Sequence, residues 1–253
     1  MDGSTVDGST EVGSTCARLA PGWADAVSSA CPWVPVDGPV LVVVPHPDDE
    51  SLMFGGTLAH YGARGTPVHV LAVTDGGAAY PEVVDAGTLS GLRRSEHTDA
   101  LAELGLAAAP VTRLDIPDGC VADHDGALVE AITVIVTTER IGAVLAPWQH
   151  DHHTDHEACG RAVRRARHDT GAAFAIVSGL FWSMLRDPAP PEVALAAVTL
   201  TSDQVARKSA AIRCHRSQIE RTEVLDGAEP VLGERELALT RWRREHVILE
   251  RPG

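Results

Sequence analysis

Short apolar runs alternate with longer amphipathic stretches along most of the chain. Residues 40–44 form a continuous apolar run closed by Pro45, the pattern of a strand buried on both faces. Residues 51–64 bring Leu52, Met53, Leu58 and Ala59 near one face and stop at Gly65, as a helix does, and 68–73 reads as a second strand. The strongest helical period runs over 89–104 and ends on Gly105, after which 111–116 reads as a third strand. A helix over 127–139, a strand over 141–146 and a helix over 154–168 continue the alternation. Apolar 172–177, strand-like 195–200 and a helix over 202–218 follow. This rhythm of βαβ units predicts an α/β, Rossmann-like fold, a mainly parallel sheet with helices on both faces. In such sheets ligands gather beyond the carboxyl ends of the strands, so chemistry is expected in the loops just after them.

The first fifteen residues repeat a polar Gly-Ser-Thr unit with nothing to bury, which predicts a disordered tail over 1–15. Scattered Trp, Pro and Ala make 16–35 an N-terminal extension, and 36–253 is read as a single catalytic domain. A chain of 253 residues, 44% apolar and 22% charged, can build its own core, so any metal is free to be catalytic. The formal net charge of −14 argues against nucleic acid and anionic membrane surfaces as partners. Five cysteines without a CxxC pair, no long apolar window and no secretory leader pattern point to a reducing cytoplasm. No heptad or exposed apolar stripe specifies an oligomeric state.

Two loops carry the candidate chemistry. Directly after the first strand stands Pro45-His46-Pro47-Asp48-Asp49-Glu50, four ionisable groups in five positions, stiffened by two prolines. Asp48 and Asp49 project in different directions, so one can bind a cation while the other faces a water, and His46 with Asp49 is the candidate pair on one metal. Glu50 falls where the next helix starts, where the helix dipole favours a carboxylate, and is read as structural. After the fourth strand, Pro147-Trp148-Gln149-His150-Asp151-His152-His153-Thr154-Asp155-His156 holds four of the twelve histidines in seven positions.

Two histidines and a carboxylate make a catalytic zinc set with a position left for water, and iron(II) accepts the same set. His156, in the first turn of the following helix, is the first choice for third ligand, and His153 is able to face the same side. The spacing also nearly matches the HxHxDH pattern of metallo-β-lactamase-like hydrolases, with Asp151 in place of the first histidine. His60, His69, His97, His124 and His246 stand without acidic partners at ligand spacing and are read as packing or surface groups, whereas His215, near a helix end, is placed near the site. Dinucleotide, P-loop and serine-hydrolase signatures are all missing. Metal-dependent hydrolysis remains.

At this point the chain resembles a known family. Pro45-His46-Pro47-Asp48-Asp49-Glu50, Thr74-Asp75-Gly76, Arg93-Arg94-Ser95-Glu96, Leu104-Gly105, Ile116-Pro117-Asp118-Gly119, His153-Thr154-Asp155-His156 and His215-Arg216-Ser217-Gln218 resemble, in order and spacing, the motifs of the PIG-L/LmbE-like deacetylases. The resemblance implies a zinc-dependent hydrolase that removes the acetyl group from a small N-acetylglucosamine-type amino-sugar conjugate. It implies His46, Asp49 and His156 as metal ligands and Asp48 as general base. It also implies that His153, if protonated, stabilises the oxyanion, that Asp155 orients or charge-tunes His153, and that Arg93 is a substrate contact, with an ion pair to Glu96 as the alternative for Arg93. In the mycothiol branch of the family a tyrosine precedes the HxDH motif by two residues. Asp151 stands there in this chain, so no particular aglycone is implied. Two other hypotheses stand beside this one. The first is a metal-dependent amidase acting on thiol or other acyl conjugates. The second is a non-catalytic metal- or sugar-binding protein, which would have no use for Asp48.

Overall fold

The run at 40–44 forms strand β2 (Val40–Val44), and all five of its residues are buried. Val40, Val42 and Val44 join one apolar cluster with Leu52, Phe54 and Leu58, while Leu41 and Val43 join a second with Ile132, Val144 and Val163. A strand covered on both faces has no polar side, which is why its sequence does not alternate. The computed structural model describes residues 19–251, and the tail expected over 1–15 lies outside the described residues.

The remaining elements follow in chain order around β2. The extension contributes α1 (Trp23–Ser28) and β1 (Cys31–Pro32). After β2 come α2 (Asp49–Arg64), β3 (Val68–Ala72), α3 (Ala86–Glu103), β4 (Val111–Arg113), α4 (Asp125–Thr138), β5 (Ala143–Pro147) and α5 (Thr154–Thr170). The chain continues through β6 (Ala175–Gly179), α6 (Trp182–Arg186), β7 (Ala196–Thr199), α7 (Ser202–Cys214), α8 (Arg216–Ile219), α9 (Glu234–Thr240) and β8 (Arg244–Glu250). The strands make one eight-stranded sheet in the order β1-β7-β8-β6-β5-β2-β3-β4. All neighbours are parallel except β8, which runs antiparallel to both β6 and β7. The expected α/β, Rossmann-like architecture is therefore what the chain adopts. No helix among the described residues is long and apolar enough to cross a membrane.

From β2 the chain winds outward through β3 and β4, then returns to the other side of β2 as β5. The winding direction reverses between β2 and β5, and a crevice opens where their two following loops diverge. Those loops are 45–50 and 148–153, the two segments that hold the candidate chemistry.

Three expectations are corrected. The strand expected over 111–116 leaves regular pairing at Arg113, because Asp115 at φ 54° turns the chain. The helix expected over 202–218 breaks at His215 (φ −80°, ψ 54°) into α7 and α8. Strand β8 was not anticipated, because Arg244, Glu245 and His246 interrupt its apolar signal. Glu245 is nonetheless buried. Its carboxylate accepts from Gly56 N (2.7 Å), Thr57 N (2.8 Å) and Lys208 Nζ (2.7 Å), tying β8 to α2 and α7. Gly55 makes this close approach possible: a Cβ there would lie 2.8 Å from Lys208 Cγ.

Candidate active site

The loop after β2 turns back on itself. His46 N donates to Asp49 Oδ2 at 3.0 Å, and His46 Nδ1 lies 3.1 Å from the same oxygen. Asp49 is the first residue of α2, where the helix N-terminus favours its charge. On the other loop, His153 caps α5 and His156 occupies its first turn. His156 Nε2 points at Asp49 Oδ2 from 3.2 Å, without the direction a hydrogen bond needs, and this buried nitrogen has no hydrogen-bond partner. Ring nitrogens of His46, His153 and His156 lie within 4.8 Å of one another.

This arrangement fits a divalent cation on chemical grounds. His46 Nδ1, Asp49 Oδ2 and His156 Nε2 converge at separations typical of ligands sharing one small metal, and an orphaned buried nitrogen is among them. Each imidazole is fixed on its far nitrogen by carboxylates. His46 Nε2 faces Asp155 Oδ2 at 3.1 Å and Asp118 Oδ1 at 3.2 Å, and His156 Nδ1 donates to Asp151 Oδ2 at 2.9 Å. Such partners set the tautomer and aim of a metal-binding histidine. Burial works against a charge on His156, yet Asp49 and Asp151 raise its pKa to about 9, and His46 is likewise held well above its usual value by Asp118, Asp155 and Asp49. Surroundings this anionic favour positive charge in the crevice.

Asp48 occupies a strained backbone position, φ 145°. Burial raises its carboxyl pKa and Arg93 opposes the rise, while neighbouring Asp49 adds to it, leaving a value of about 6. Arg93 is buried: Nη1 donates to Gly76 O (2.9 Å), Nη2 to Pro47 O (2.8 Å), and Nη2 lies 3.3 Å from Asp48 Oδ2. The alternative ion pair to Glu96 does not form, since Glu96 accepts from Ser217 N and Oγ instead. Gly76, at φ 64°, is the residue that lets the guanidinium in.

All seven residues singled out from the sequence therefore meet at the ends of β2 and β5, but two stand differently than expected. The Asp155 carboxylate lies on His46 and accepts from Gly119 N at 2.8 Å; toward His153 Asp155 offers its backbone N–H, which donates to His153 Nδ1 at 3.3 Å, and a charge that favours the protonated ring. The oxyanion role of His153 was conditional on its being protonated. Burial and the charges of His46 and His156 instead lower its pKa to about 4. With Nδ1 accepting, the neutral ring carries its proton on Nε2.

Sequence reasoning missed three groups. Asp151 was noted only as a departure from other motifs, although it is fully buried and anchors His156. Asp118 stood only as part of the Ile116-Pro117-Asp118-Gly119 motif and was given no role. Glu50 was read as a helix-start carboxylate, yet it sits between two buried histidines, with His215 Nε2 at 3.2 Å and His97 Nε2 at 3.7 Å. Burial pushes the Glu50 pKa up, but His97 and His215 override it and hold the group well below the usual carboxylate range.

The model of the PIG-L family, described as GlcNAc-PI de-N-acetylase, matches residues 41–167, a span that contains both loops. The chain is 32% identical to the 1D-myo-inositol 2-acetamido-2-deoxy-alpha-D-glucopyranoside deacetylase of Mycobacterium sp. (strain KMS), over 76% of this chain and 80% of the relative. Among solved structures it is similar to a deacetylase triple mutant of the teicoplanin biosynthetic pathway (TM-score 0.64, 20% identity, 84% of this chain and 98% of that one). It is also similar to the N,N'-diacetylchitobiose deacetylase of Pyrococcus horikoshii (TM-score 0.58, 22% identity, 71% and 70%). The same fold also carries a 4-carboxy-2-hydroxymuconate hydratase from Pseudomonas putida (TM-score 0.56, 20% identity, 72% and 80%), so these distant likenesses speak for the fold alone. The family match spans both loops and the relative covers three quarters of the chain, and the chain belongs to the PIG-L family of de-N-acetylases.

Proposed function

We propose that the protein is a metal-dependent de-N-acetylase that hydrolyses the acetamido group of a small N-acetylglucosamine-type conjugate. The observation that carries this reading is the convergence of His46 Nδ1, Asp49 Oδ2 and His156 Nε2 beside the buried carboxyl group of Asp48, which Arg93 Nη2 approaches to 3.3 Å. In the proposal His46, Asp49 and His156 hold the metal, zinc by the preference of a two-histidine, one-carboxylate set. When bound, the ion acidifies water and polarises the amide carbonyl.

Asp48 takes the proton from the attacking water. A base with a pKa near 6 is ionised at neutral pH yet still basic enough to accept it. His153 donates Nε2–H to the carbonyl oxygen as negative charge develops there, acting as a neutral donor rather than an imidazolium. Asp155 supports this by holding His46 with its carboxylate and His153 with its backbone N–H. The proton that Asp48 took from the water is returned to the departing amine, which restores the Asp48 carboxylate for the next cycle. Arg93 restrains Asp48 and presents positive charge to a sugar hydroxyl beside it. Acetate and the free amino sugar leave.

The test is free-amine and acetate release from a panel of N-acetylglucosaminyl conjugates, with larger N-acyl analogues alongside. Zinc-loaded protein is expected to release acetate, chelated protein to fall silent, and Asp48→Ala to lose about 10²–10⁴-fold in kcat while retaining metal. Release that ignores both chelation and Asp48→Ala, or preference for the larger acyl groups, overturns the proposal.

A further inference from the structure

Behind the loop at 45–50 lies a buried charged cluster that neither metal binding nor proton transfer uses. Glu50 is 1% exposed. Its Oε1 accepts from Ser51 Oγ at 2.7 Å and faces His215 Nε2 at 3.2 Å, and its Oε2 accepts from Asp48 N at 3.2 Å. Keeping a carboxylate out of water carries a desolvation cost that pairing only offsets, so its retention calls for a reason beyond stability.

The neighbour supplies that reason. Asp48 stands at φ 145°, a conformation that side-chain-bearing residues rarely adopt and that persists only where the surroundings over-determine it. Arg93 restrains one side of this residue through Pro47 O and the Asp48 carboxylate. The backbone N–H on the other side has Glu50 Oε2 as its acceptor.

We propose that Glu50 is a positioning residue: by accepting the Asp48 N–H it holds Asp48 in the strained conformation that aims its carboxylate into the crevice, and His215 holds Glu50 in turn. The inference rests on the reading of Asp48 as general base. It differs from plain capping of α2, which would affect folding but not the rate of the chemical step.

Glu50→Gln separates the two. An amide has a single oxygen, which can serve either Asp48 N–H or the Ser51 and His215 side. Misplacing a reacting group by about 1 Å can cost about 10²-fold, and a loss of that order in kcat is expected, with KM and metal content unchanged. His215→Ala is expected to lower kcat in the same way, while His215→Gln, which returns a donor nitrogen at similar reach, restores most of it. Because the effect runs through Asp48, adding Glu50→Gln to Asp48→Ala should not reduce the residual rate further.

Wild-type kcat in Glu50→Gln overturns the proposal, as does a loss that persists in full on the Asp48→Ala background. If Glu50→Gln does not fold, the histidine pair decides, and equal kcat in His215→Ala and His215→Gln overturns it. A wild-type rate in Asp48→Ala would remove the base reading itself, and the proposal with it.

Discussion

Replacing Asp151 by asparagine places a conflict inside the buried support of His156. The two carboxylate oxygens divide their contacts. Oδ1 accepts from Phe181 N (2.8 Å), Ser183 N (3.2 Å) and Ser183 Oγ (2.8 Å), and Oδ2 accepts from His156 Nδ1 at 2.9 Å. An asparagine that keeps the three Oδ1 contacts turns its NH2 group onto His156 Nδ1–H, donor against donor. Relief requires the imidazole proton to move to Nε2, the atom assigned to the metal. The flipped amide keeps His156 but sets its NH2 against the start of α6, forfeiting bonds to a charged group worth about 1.5–3 kcal/mol each. Substitutions behind a metal ligand typically cost about 10–100-fold in metal affinity, and Asp151→Asn is expected to fall in that range. Competition with a chromophoric chelator on the full chain measures it, with His156→Ala as the reference for loss of a ligand. Asp151→Asn that binds zinc as tightly as wild type, while His156→Ala does not, refutes the reasoning.

Two further outcomes follow from the packing. Gly76→Ala adds a Cβ that would lie 1.9 Å from Arg93 Nη1, at a residue already in the left-handed region. It should cost about 1–3 kcal/mol in denaturant unfolding and lower kcat by freeing Asp48, and unchanged values of both would count against the Arg93 clamp. His246 has its pKa lowered to about 4 by burial, with Arg244 and Lys208 adding to the effect. The unfolded chain takes up a proton at this position near pH 6.5, whereas the folded chain does so only near pH 4. Its stabilising contribution is therefore present above pH 6.5 and erodes as pH falls between these values, by about 3 kcal/mol in full. The stability difference between wild type and His246→Leu should change across that window, and a pH-independent difference would contradict the assignment.

Much of this architecture was legible along the chain because it depends on local periodicity. Apolar strands buried on both faces, helices ended by Gly65 and Gly105, and loops placed just after strands are near-neighbour properties, and they placed both candidate loops at the strand ends where the fold has them. His46, Asp49 and His156 were already grouped as candidate ligands from residue type and position, and the resemblance to the family implied the same three.

What local pattern does not carry is the partner of a buried charge. Glu245 made β8 look too polar for a strand, because its compensating donors lie on α2 and α7, nearly two hundred and about forty residues away. Asp151 looked like a substitution in other motifs until α6 and His156 closed around it. Asp155 was assigned to the nearest histidine in sequence, whereas the fold lays it on His46. The oxyanion role of His153 was tied to its being protonated, and burial, with the charges of His46 and His156 adding to it, favours the neutral ring. Residue type and spacing determined which groups reach the crevice. Which nitrogen faces which oxygen, and which groups keep their protons, is set by burial and by contacts between distant segments, and those exist only once the sheet has closed.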